Sequence, residues 1–99
     1  MAKFDVYRLR ENSMLVVDCQ ADVLDDLKTR FVVPLFSAEA GVARSMRLNP
    51  TVEFEGAAYT VAPQGAATLT LAELGPPIGS LAEHDLTIGN ALDMLISGF

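Results

Sequence analysis

The sequence predicts a mainly β fold finished by one C-terminal helix, a small barrel or curled sheet with the helix packed on it. Three observations carry this reading. Six short runs are apolar or alternate apolar with polar residues, and turn formers separate them. Two of these runs, Val52–Glu55 and Ala58–Val61, flank a short glycine-containing loop and read as a hairpin. Beyond Gly79 the apolar spacing changes from two residues to that of a helix.

Phe4 and Val6 alternate with Asp5 and Tyr7, a half-buried strand. Arg8 to Ser13 is polar and turns the chain into Met14–Cys19, a β-branched run too short for a helix, so the first two strands are expected to pair. Gln20 to Arg30 is an acidic connection holding Asp22, Asp25 and Asp26. Phe31–Phe36 is the third strand. Its Pro34 cannot donate to a ladder, which predicts an edge position or a bulge. Ser37 to Asn49 is expected to be a short helix or an ordered loop that Pro50 helps to end. In the hairpin, Gly56-Ala57 is expected as a type II′ turn, with glycine first. Thr68–Leu71 is the last alternating run, and Gly75-Pro76-Pro77 with Gly79 reads as a rigid bridge. The helix follows. Ser80 and Glu83 form an S-x-x-E capping box, and Ile88, Ala91, Leu92, Leu95 and Phe99 fall on one face. Gly89 weakens this helix by about 1 kcal/mol relative to alanine.

The chain has 99 residues, one domain's worth (1–99), and is long enough to fold around one core without disulfides or metal. Half its residues are hydrophobic, a surplus that often enters an oligomer interface. Thirteen acidic against seven basic residues give a net charge of −6, which disfavours direct nucleic-acid binding. The mixed start is unlike a signal peptide and no run reaches the length of a membrane span, so a cytoplasmic protein is expected.

Catalytic and metal chemistry find little support. The aspartates at 22, 25 and 26 lack the spacing of a calcium loop, and one cysteine with one histidine cannot build a zinc site. Cys19 sits in an apolar run, as a buried thiol with a raised pKa would, and His84 falls in the first helical turn as a solvated residue. Arg30, Arg44 and Arg47 beside a carboxylate are the one enzymatic pattern, suited to cleaving a phosphodiester; each can equally pair with a surface acid. The tail Ile96-Ser97-Gly98-Phe99 invites a different question. Its terminal aromatic either fills an interior or stands at a surface, and Val23 and Leu24 in the acidic loop pose the same alternative.

Taken in order, Phe4-x-Val6-Tyr7, Val17-Asp18-x-Gln20-x-Asp22, Arg30-x-Val32-x-Pro34-Leu35, Leu48-x-Pro50-x-Val52, Leu81, Asn90-Ala91 and a penultimate glycine resemble the CcdB family of toxins. The resemblance spans nearly the whole chain. It implies a CcdB-type, SH3-like barrel assembled as a homodimer, without enzymatic activity or cofactor. It also implies two partners: the A subunit of DNA gyrase, trapped on cleaved DNA, and a CcdA-like antitoxin that neutralises the toxin. The family's target contacts, carried over by position, are Val23, Leu24, Asp93, Ile96, Ser97, Gly98 and Phe99. Well-studied members end in Trp-Gly-Ile, so Ser97 stands in place of the tryptophan and the bulkier Phe99 in place of the isoleucine; Asp93 replaces a frequent asparagine. Two rival functions remain open: a messenger-RNA-cleaving toxin of the MazF and Kid type, in which Arg30 would act, and a homologue that keeps the antitoxin but has lost gyrase.

Overall fold

A computed structural model describes residues 2–98. These residues form seven strands and one α-helix: β1 (Asp5–Leu9), β2 (Leu15–Asp18), β3 (Thr29–Ser37), β4 (Thr51–Phe54), β5 (Ala57–Val61), β6 (Ala67–Thr70), β7 (Leu74–Ser80) and α1 (Asp85–Ser97). The sheet runs β4-β5-β3-β2-β1-β7, and every recorded pairing is antiparallel. β3 is its long middle strand. Along one edge it pairs with β2; along the other it pairs first with β6, through Thr29 to Val32, and then with β5, through Leu35 to Ser37.

That change of partner explains Pro34. The residue lies inside a central strand, in contrast to the predicted edge position or bulge. Its carbonyl accepts from the Ala62 N–H at 3.1 Å, on the β5/β6 side. In an antiparallel ladder the N–H and C=O of one residue point the same way. The donor that proline lacks is therefore missing from the gap between the two partners, where no ladder bond is due. The Pro63–Gly65 turn crosses that gap, and a β-carbon added to Gly65 would stand 2.9 Å from Pro34 Cγ.

Alternation gives each strand two faces, and both are buried in the middle of the sheet. The larger core gathers Phe4, Val6, Leu15, Val17, Val33, Leu35, Val52, Phe54, Val61, Leu81 and Ile88. A smaller cluster on the opposite face holds Tyr7, Val16, Val32 and Leu74, with Leu9 and Leu69 against it. Neighbouring residues in β1, β2 and β3, such as Val6 and Tyr7, Val16 and Val17, or Val32 and Val33, supply one member to each cluster.

The sheet is a half-barrel whose path begins at β4 and ends at β7. Side chains bring the two ends together. A β-carbon on Gly79 of β7 would fall 2.6 Å from Cε1 and Cζ of Phe54 on β4, so that ring lies directly on the glycine backbone. β7 itself covers the segment expected to be a rigid bridge. It pairs with β1 despite Pro76 and Pro77, with irregular register at Tyr7, and it occupies the edge where proline is tolerated.

Two local expectations also change. The β4–β5 hairpin exists, but its loop is Glu55-Gly56, with φ of 51° and 81°. Two successive left-handed residues make this a type I′ turn, whose twist matches the strands. The proposed Ser80/Glu83 box does not cap the helix: Ser80 Oγ accepts from the Ala82 N–H, opening a 3₁₀ turn at Ala82–His84 from which α1 continues. A capping box forms instead at Thr70 and Glu73, where one carboxylate oxygen accepts from the Thr70 N–H and hydroxyl, both at 2.9 Å. These bonds, the backbone one foremost, hold the Glu73 pKa below its ordinary value. Residues 37–49 begin with a 3₁₀ turn at Ala38–Ala40, and Asn49 ties the rest down, accepting from the Arg44 N–H at 2.7 Å and donating to the Val61 carbonyl at 3.1 Å.

Two glycines should respond to alanine in opposite directions. A β-carbon on Gly89, within α1, meets nothing within 4 Å. Gly89→Ala is expected to raise stability by about 1 kcal/mol, a rise in melting temperature of roughly 4–8 °C. Gly79→Ala drives a methyl into the Phe54 ring and is expected to cost about 1–3 kcal/mol. Thermal denaturation of both variants checks the pair.

Candidate functional site

α1 packs chiefly on the Pro63–Gly65 and Ala82–His84 turns. Its apolar face is sealed at the start and open at the end: Ile88 and Ala91 are buried, Leu92 is half-buried, and Leu95 and Ile96 are 44% and 75% exposed. Asp93, Ser97 and Gly98 are exposed beside them. Gly98 ends the helix. At φ 80° it adopts the left-handed conformation of a C-cap, and its N–H donates to the Met94 carbonyl at 3.0 Å. No basic residue occupies the last turn, so the negative pole of the helix and the Asp93 carboxylate face solvent together. Phe99 lies outside the described residues.

Val23 and Leu24 belong to a 3₁₀ turn, Asp22–Leu24, that follows β2. Val23 is 84% exposed and Leu24 46%, and no residue of the turn is buried. The turn is not a principal neighbour of α1, so on one chain the predicted contacts fall into two separate groups.

Beneath the turn lies a feature missed by sequence reasoning. Asp18, at the end of β2, and Arg30, near the start of β3, are both fully buried. Arg30 Nε donates to Asp18 Oδ2 at 2.8 Å, and Nη2 lies 2.6 Å from the same oxygen. The other oxygen, Oδ1, accepts from the Gln20 N–H at 2.9 Å. The Gln20 side chain then bridges outward. Its Oε1 accepts from the Phe31 N–H at 3.0 Å and its Nε2 donates to the Leu24 carbonyl at 2.9 Å. Arg30 Nη1 and the Tyr7 hydroxyl, also buried, have no hydrogen-bond partner among the described residues. Burial, reinforced by Asp5 and Asp18, pushes the Tyr7 hydroxyl up to about 12. The Asp18-x-Gln20 spacing and Arg30 were visible in the sequence, but nothing local marked them as mutual partners.

The arginine constellation does not assemble. Arg30 is enclosed and neutralised by Asp18, away from any surface that a phosphodiester could reach. Arg44 and Arg47 are exposed on the connection before β4, and Arg47 lines a hollow of about 370 Å³ with Met46, Pro50, Thr87 and Asn90. Among the described residues, no group of three or more His, Cys, Asp or Glu side chains could hold a metal ion. His84 is half-buried in the turn before α1, not in its first turn, with Nε2 3.8 Å from Glu83. Cys19 is buried as expected, and desolvation, followed by Asp18, pushes its thiol up to about 12. Among the described residues, no helix is long and apolar enough to cross a membrane.

A family model described as CcdB protein matches residues 3–98. The chain belongs to the CcdB family. CcdB proteins are the toxins of toxin–antitoxin systems, and the half-barrel with its C-terminal helix is the fold expected of one. Within this CcdB chain, the buried Asp18–Arg30 pair and Gln20 stand between the core and the exposed Val23–Leu24 turn.

Removing one member of the buried pair strands the other's charge. Asp18→Asn is expected to cost about 3–5 kcal/mol in urea denaturation, and pairing an apolar residue at 18 with methionine at 30 should recover much of it. Alkali supplies a second test. The Cys19 and Tyr7 pKa values are higher folded than unfolded, so the unfolded chain loses these protons first. Their contribution to stability is whole below pH 9 and falls as pH rises from about 9 toward 12. Cys19→Ala should remove the part of that decline that begins near pH 9, and the native thiol should resist alkylation at pH 8 until the protein unfolds.

Proposed function

We propose that this CcdB protein binds the A subunit of DNA gyrase, accumulates the enzyme in its cleaved-DNA state, and is neutralised by a CcdA-like antitoxin. Binding requires no reactive group. A ligand that prefers one conformation of an enzyme raises the population of that conformation by its differential affinity alone. The observation that carries the reading is the placing of large apolar side chains in water on a well-anchored scaffold: Ile96 and Leu95 at the end of α1, Val23 and Leu24 on the turn after β2. Exposed apolar groups held in fixed positions are the usual material of interface hot spots.

In this reading the protein acts as a homodimer whose symmetry brings two helix ends, with Asp93, Ser97, Gly98 and Phe99, to one composite surface. The exposed helix pole and Asp93 suit a target surface rich in hydrogen-bond donors or cations. With Ser97 at the position of the usual tryptophan, the anchoring falls to Ile96 and Phe99. An antitoxin that is disordered when free can wrap a large area and tolerates such local changes.

The deciding experiment is a supercoiling and DNA-cleavage assay with purified gyrase. Trapped cleavage complexes, relieved by antitoxin, are expected; unaffected supercoiling at excess protein would leave only an antitoxin-binding role. Ile96→Ala and deletion of Gly98 and Phe99 are each expected to cost binding about 2 kcal/mol or more, roughly thirtyfold, with the fold preserved. The melting temperature is expected to be unchanged in Ile96→Ala and to fall slightly in the deletion, which removes the Gly98 cap. Ser97→Trp should maintain or raise affinity.

A further inference from the structure

The Asp22–Leu24 turn has no core of its own to hold it. All three of its residues are exposed, and the 3₁₀ geometry rests on single bonds, Leu24 N–H to the Ala21 carbonyl at 2.9 Å and Asp25 N–H to the Asp22 carbonyl at 3.1 Å. A turn so thinly supported would sample many conformations, and a partner that bound Val23 and Leu24 would have to overcome the entropy of ordering it. Tethers from outside oppose this. The Lys3 N–H donates to Asp22 Oδ1 at 2.7 Å at the front of the turn, and the Gln20 amide grips the Leu24 carbonyl at its back.

We propose that Gln20 is a positioning residue for partner recognition, holding Val23 and Leu24 in the geometry that the target meets. The inference rests on the target-binding role assigned to those two residues above. Its warrant is the chemistry of the primary amide, which donates and accepts at once. Gln20 needs both abilities, because Oε1 faces a backbone N–H of β3 and Nε2 faces a carbonyl of the turn. A flipped amide would set donor against donor and acceptor against acceptor, so the network admits one orientation. The backbone of Gln20 is fixed in turn by Asp18, whose carboxylate is locked by buried Arg30. A continuous set of bonds therefore runs from the interior to the carbonyl of an exposed apolar residue.

Two variants separate the functions of the amide. Gln20→Glu retains an acceptor for the Phe31 N–H but turns a carboxylate oxygen toward the Leu24 carbonyl; Gln20→Leu makes neither bond. Binding of each to the purified A subunit of gyrase is measured by surface plasmon resonance, alone and in a Val23→Ala/Leu24→Ala background. Hydrogen exchange follows the Leu24 and Leu27 amides, which donate to the Ala21 and Leu24 carbonyls. A positioning role predicts about a tenfold loss of affinity in both variants, faster exchange at Leu24 and Leu27 with β1 amides unchanged, and little further loss once Val23 and Leu24 are already alanine. Wild-type affinity in the variants overturns the inference and leaves the proposed function standing. So does a loss that is fully additive with the alanine background, since that marks a general effect on the fold. Wild-type protein that fails to bind this gyrase subunit removes the proposed function and this inference together.

Discussion

The Asp18–Arg30 pair is the constraint around which the rest of the structure is arranged. Two full charges lie without solvent at the junction of two adjacent, deeply buried strands, β2 and β3. Desolvation consumes most of what their attraction supplies, so such a pair adds little net stability over a well-packed apolar pair. What it adds is orientation. A carboxylate that must meet Arg30 with one oxygen can present the other only in one direction, and that direction is the Gln20 N–H. The path of the chain as it leaves β2 is thereby set by an interior requirement and not by the acidic loop's own preferences.

The scaffold and the exposed groups divide the work along the same line. α1 buries Ile88 and Ala91 in the interior and then runs out of core, leaving Leu95 and Ile96 without cover. Its first half is a structural element and its last turn a displayed one, although the apolar spacing is continuous through both. The turn after β2 is displayed in the same sense, with its support supplied by hydrogen bonds in place of packing.

Local patterns in the sequence were enough to find the first six strands, the hairpin and the helix, because alternation and helical spacing are properties of neighbouring residues. The missed features depend on distant ones. Pro76 and Pro77 argue against a strand until an edge position is known, and only the pairing with β1 supplies it. Pro34 looked like an edge residue because the switch of β3 between β6 and β5 has no local mark. Asp18 reads as one residue of the second strand and Arg30 as a member of an arginine cluster or the partner of a surface acid; their partnership needs the β2–β3 register. The capping box failed for a subtler reason. Two segments carried the S/T-x-x-E pattern, and the one at Thr70 formed while the one at Ser80 was displaced by the 3₁₀ turn. Of the candidate site, the exposure of Val23, Leu24 and Ile96 followed from the family resemblance and not from periodicity, which placed Leu95 among the core residues.

The seam between Phe54 and Gly79 has a bearing on how this molecule meets others. The two ends of the sheet's main path, β4 and β7, are strand margins, and a row of unused backbone donors and acceptors is an invitation for a second chain to extend a sheet. Here one margin carries consecutive prolines, which have no donor to offer, and the other is drawn against it by an aromatic ring resting on bare backbone. Growth by strand addition is discouraged at both borders. In the proposed function, recognition falls instead to side chains projecting from a helix tip and a tight turn, where it depends on shape and identity and not on the generic appetite of β-structure for more of itself.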